Sequence, residues 1–184
     1  MTVSRGVGTV IAAIAGILLI VVTVVILVAV LTPNSDPSSL ISKAIELRNS
    51  KTPIERANLI TSIDDEVASL GNSDVSEQWD RMLSCLSEVC PDEAFLDLIL
   101  VTTAAFETEI PNSATIINAI ATVKYWGNSE NMLDFSRAMS NADKQIEESD
   151  NRAAKKVWDQ ILECENTCED KNNLYFALIR ALTQ

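Results

Sequence analysis

Cys85, Cys90, Cys164 and Cys168 are the side chains of this sequence best suited to covalent or metal chemistry. They come as two close pairs, and an even number of cysteines in such pairs reads as disulfides, which persist mainly in oxidising compartments. Each pair stands at the close of a helical stretch, so two local disulfides would staple equivalent helix corners. Four cysteines allow three connectivities, and a crossed arrangement between the pairs stays open. Zinc is the alternative chemistry. Structural zinc sites usually space their ligands Cys-x-x-Cys, whereas four residues separate Cys85 from Cys90, and the chain has no histidine. No metal and no cofactor are expected.

The missing histidine also removes the commonest general base and the Ser–His and Cys–His nucleophile pairs. The five glycines form neither a G-x-G-x-x-G pattern nor a phosphate loop, so no nucleotide cradle is present. Asp64-Asp65-Glu66 and Glu147-Glu148-Asp150 are the dense acidic runs. Their spacing is not that of an EF-hand, and they read as solvated faces. No catalytic residue is expected, and the chain reads as a non-enzyme. Among the tryptophans, Trp79 and Trp158 read as core wedges on amphipathic helices. Trp126, beside Tyr125 at a helix end, is the better surface candidate.

Two kinds of element must position these residues. From Val7 to Leu31 the chain is almost wholly Val, Ile, Leu and Ala without a charge, 25 residues in all. At ~1.5 Å per residue such a helix exceeds the ~30 Å core of a bilayer. It is expected to be a retained transmembrane helix, since a signal peptide has a shorter apolar region and a small-residue cleavage site. Arg5 precedes it and Asp36 is the first charge after it, so the positive-inside rule puts residues 1–6 in the cytoplasm and the rest outside. Gly8, Ala12 and Gly16 align small side chains on one face, a surface for packing against other integral membrane subunits. The start, Ser4-Arg5-Gly6-Val7-Gly8-Thr9-Val10-Ile11, resembles archaeal type IV prepilin leaders. That resemblance implies a processed leader and a filament subunit.

Beyond a proline-rich linker at 32–39, residues 40–184 read as an acidic helical domain. Only Arg5 falls within residues 1–31, so the remainder carries 13 basic and 26 acidic residues, a formal charge of −13. Such a surface repels nucleic acid. Polar stops and capping residues divide it into helices near 39–49, 53–70, 74–89, 92–109, 113–126, 130–147, 150–165 and 171–183. The segment 92–109 is apolar around nearly its whole circumference and is expected to be a central buried helix.

The sequence also repeats itself. Trp79-Asp80-Arg81-Met82-Leu83-Ser84-Cys85 reads against Trp158-Asp159-Gln160-Ile161-Leu162-Glu163-Cys164 at an offset of 79. Ile54 meets Leu133, Asp64 meets Asp143 and Val67 meets Ile146 at the same offset. The reading is a tandem pair of four-helix repeats, about 40–110 and 113–184, with Trp79, Leu83, Trp158 and Leu162 as repeat core. Two architectures fit: a solenoid of helix pairs analogous to tetratricopeptide and HEAT repeats, or one helical globule.

All-α in class, the chain is thus expected to be a single-pass protein of the cell membrane. Its leading function is a non-catalytic accessory or scaffold subunit of a membrane complex, of the kind that decorates respiratory or monooxygenase complexes. Its partners would be the lipid bilayer and other integral subunits. A membrane-tethered binder of a peptide or cation and the pilin-like subunit are the alternatives.

Overall fold

A computed structural model describes residues 36–87, 90–164 and 171–184. Eight α-helices lie among them: α1 (Pro37–Asn49), α2 (Pro53–Leu70), α3 (Ser73–Cys85), α4 (Asp92–Ala105), α5 (Ser113–Tyr125), α6 (Met132–Glu148), α7 (Arg152–Glu163) and α8 (Lys171–Thr183). A short 3-10 turn, Ser129–Asn131, leads into α6.

The starts follow from side chains that satisfy orphan N–H groups. Asp36 accepts from the Ser38 N–H at 2.9 Å, and Thr52 accepts from Glu55 at 3.2 Å with Pro53 in the first turn. Asn72 takes the N–H groups of Asp74 and Val75, and Asn151 takes that of Ala154. Helix α2 stops at Gly71, whose φ of 63° is the left-handed conformation glycine adopts without a Cβ penalty.

Helices α1, α4, α5 and α8 form a closed ring, each packed on the next, with α8 returning to α1. The pairs α2/α3 and α6/α7 lie outside it, each attached to its own half. Exchanging the halves leaves this pattern of packing unchanged. The ring encloses Leu40, Ile41, Leu98, Ile99, Ile116, Ile120, Leu178 and Ile179, all fully buried. Closure between the first and last helices makes the domain a globule and not an open solenoid.

The correspondence between halves is closer than one offset conveys. Helices α2 and α3 map on α6 and α7 at 79, so Asn72 matches Asn151 and Val75 matches Ala154. For α1 and α5 the buried positions Ser38, Leu40, Ile41, Ala44, Ile45 and Leu47 fall on Ser113, Thr115, Ile116, Ala119, Ile120 and Thr122, an offset of 75. The longer connection between α5 and α6 absorbs the difference. For α4 and α8 the offset is 80: Phe95, Leu96, Leu98, Ile99, Thr102 and Thr103 fall on Tyr175, Phe176, Leu178, Ile179, Leu182 and Thr183. Thr103 and Thr183 even make the same bond, each hydroxyl donating to the carbonyl four residues back.

Several expectations need correction. Among the described residues no helix is long and apolar enough to cross a membrane. The expected span 7–31, its packing residues Gly8, Ala12 and Gly16, and the prepilin-like start lie outside the described residues. The reading as a single-span accessory subunit, with bilayer and integral-subunit partners and a cell-membrane location, is therefore replaced by one built on the helical domain alone. Helix α4 ends at Ala105, and Ala104 and Ala105 are exposed, so it is not buried all round. Burial is shared among the four ring helices. Leu162 is 46% exposed because Ile161 fills the core-facing position of α7, and Leu83 is only partly buried. Ile54 and Leu133 match in register, yet both stand in solvent, 76% and 62% exposed.

Candidate functional site

Trp79 and Trp158 are buried, and each indole Nε1 donates to the carboxylate fifteen residues earlier, Asp64 at 3.0 Å and Asp143 at 2.9 Å. These two bonds tie the outer helices of each half together, and Asp64 is thereby taken from its acidic run. Glu66 pairs with Lys43 at 2.7 Å and Glu147 with Lys155 at 2.8 Å. No group of three or more cysteines and carboxylates converges to hold a metal ion among the described residues. Cys85 and Cys90 are disulfide-bonded, with Cα atoms 5.0 Å apart, and pin the end of α3 to the start of α4. Cys164 is also held in a disulfide; Cys168 lies outside the described residues. Trp126 is half-buried, edge-on to Phe135 at 4.9 Å between centroids, with the Lys171 ammonium over its face. Burial there pushes the Lys171 amine below the ordinary lysine range.

One end of the ring is closed by Arg48. Its Nε and Nη2 donate to both oxygens of Asp92 at 2.6 and 2.9 Å, its Nη1 to Asn49 and Asn173, and its guanidinium lies 4.2 Å from the Phe176 centroid. Asn172 donates to Asp92 at 2.9 Å. The bonds from Arg48 hold the Asp92 carboxyl below the usual carboxylate range, against a smaller opposing effect of burial. This cluster ties α1, α4 and α8 in one network of charge-assisted bonds.

A groove of about 420 Å³ lies between the start of α3 and the end of α4. Val101, Ala104 and Ala105 form its apolar side, and Asn72, Asp74, Glu77, Gln78 and Arg81 its polar side. The matching place in the second half is bridged by a hydrogen bond. There the Asn151 Nδ2 donates across to the carbonyl of Ala181 at 2.7 Å. The offsets carry Asn151 back to Asn72 and Ala181 back to Val101, but the Asn72 amide makes no such bond across to Val101.

The chemistry of the two places also differs. Asp74 and Glu77 become Ala153 and Lys156 in the second half. Glu77 is paired with Arg81, both largely exposed, while Asp74 has no ion-pair partner among the described residues. The groove therefore carries a net negative charge beside a short apolar wall. Such a combination suits a cationic head on an aliphatic stem.

None of these groove residues was a candidate from sequence. A signal was available in the mismatches of the duplication, because a position that turns from acid to lysine between equivalent helices is not maintained by packing. The chain matches no protein-family model, no curated protein and no solved structure.

Proposed function

We propose that the helical domain is a non-catalytic binding module whose α3/α4 groove takes a lysine or arginine side chain of a peptide or protein partner. The observation that supports this reading is the difference between the halves: Asn151 binds across to Ala181 in the second, while the first has a groove at Asn72 with Asp74 and Glu77 in its lining. The stem would lie on Val101 and Ala104, and the charge would meet Asp74 and Glu77. The formal charge of −13 on residues 32–184 draws basic partners in from a distance.

The test is fluorescence anisotropy of a labelled lysine-containing peptide against the full chain at low and at moderate salt. Binding should be saturable and weaken with salt. The double substitution Asp74→Ala with Glu77→Lys, which gives the groove its counterpart's residues, should lower affinity at least tenfold without changing helicity. Equal affinity in that variant, or no saturable binding, would overturn the assignment.

A further inference from the structure

A second asymmetry lies at the crossings that join the halves, and it stands independently of the groove. The ring has two such crossings, α4 on α5 and α8 on α1, and exchange of the halves turns one into the other. At the first, Lys124 Nζ and Asp97 Oδ1 meet at 2.6 Å and span the gap. The offsets carry Lys124 to Asn49, Asp97 to Ala177 and Leu100 to Arg180. At the α1/α8 crossing, then, the acid is an alanine, the amine is an amide, and an arginine has taken the place of a leucine.

At this crossing lies a pocket of about 300 Å³ whose lining includes Ile45, Phe176 and Ala177 with Asn49, Asn173 and Arg180. Arg48 also lines it, but its charge is matched by Asp92. Arg180 has neither an ion pair nor a side-chain hydrogen bond among the described residues. One uncompensated guanidinium beside Ala177, in a domain otherwise strongly acidic, marks a place for a single negative charge.

We propose that this pocket binds a small carboxylate with a short apolar body. The carboxylate takes the paired N–H groups of Arg180 and the amide N–H of Asn49, whose Oδ1 is already turned to Arg48. The body rests on Ala177, the exposed apolar residue of the lining. A monoanion matches the one free charge, whereas phosphate brings a second that nothing here neutralises. The carboxylate belongs either to a free acid or to the side chain of an acidic peptide.

Calorimetric titration of the full chain with benzoate, with inorganic phosphate and with a short acidic peptide tests this. Saturable benzoate binding is expected, weaker by at least tenfold in Arg180→Leu and lost in Ala177→Asp, where the new carboxylate occupies the site itself. The groove variant at Asp74 and Glu77 should bind benzoate as the parent does. Thermal unfolding of the variants separates loss of binding from loss of fold, and either variant decides if the other does not fold. Tighter binding of the peptide than of benzoate names a protein partner as the source of the carboxylate. No saturable binding of either carboxylate, undiminished binding in Arg180→Leu, or preference for phosphate would sink the proposal.

Discussion

Tyr175 sits at 0% exposure with a phenol oxygen that has no hydrogen-bond partner among the described residues. Its counterpart at the offset of 80 is Phe95, also buried. The fold thus contains the same aromatic position with and without a hydroxyl. A buried hydroxyl without a partner costs about 1–3 kcal/mol, and removing it leaves the ring's packing in place. Tyr175→Phe should therefore stabilise the chain by about 1–2 kcal/mol, which for a domain of this size raises Tm by about 2–8 °C. The reciprocal Phe95→Tyr should destabilise by a similar amount. A pH dependence sharpens the test. Burial pushes the Tyr175 hydroxyl above its ordinary value, so folding favours the protonated phenol. That stabilisation is complete below the unfolded value of ~10 and falls above it by up to ~1.4 kcal/mol per pH unit. Urea unfolding followed by circular dichroism at pH 7 and near pH 11 reads both effects. The parent should lose more stability than Tyr175→Phe on going to alkaline pH. A destabilised Tyr175→Phe, or an identical alkaline loss in both proteins, would refute the reasoning.

Asp92→Asn should cost about 1.5–3 kcal/mol at pH 7, measured by chemical unfolding, because Arg48 loses its charged acceptor. The folded Asp92 carboxyl is held low, so its contribution is present above the unfolded value of ~4 and vanishes as pH falls through the folded one; the gap between parent and variant should close in acid. Replacing Cys85 and Cys90 by serine frees a loop of only six residues and should cost about 2 kcal/mol in the same assay, leaving the fold intact. Trp79→Phe and Trp158→Phe each remove one Nε1–carboxylate bond and part of a buried ring, and should each cost about 2–4 kcal/mol. A severalfold difference between the two would show that the halves are not mechanically equivalent.

The all-α domain of eight helices was legible because its signals are local. Thr52-Pro53-Ile54-Glu55 announces a helix start on its own, and Gly71 announces a stop. The tryptophan match at 79 was visible because two rare residues repeat together. The ring was not visible, since closure of α8 on α1 depends on contacts between residues some 125 apart, such as Arg48 with Asn173. Burial was misjudged where one helix was read alone. Leu162 was read as repeat core beside Trp158, but Ile161 is the residue of α7 that turns inward there. The groove and the anion pocket escaped for a further reason. Each arises from a missing contact, and a missing contact is recognisable only beside its intact counterpart.

A closed ring whose halves can be exchanged has the geometry of a symmetric dimer written into one chain. In a dimer of identical subunits every surface appears twice, and a residue that opens one cleft opens its twin. Fusion ends that obligation. Within one chain Asn151 binds across to Ala181 while Asn72 makes no such bond, and Ala177 stands where its counterpart Asp97 holds Lys124. One frame thus holds two sets of equivalent positions, and at Glu77 and Lys156 they carry opposite charges.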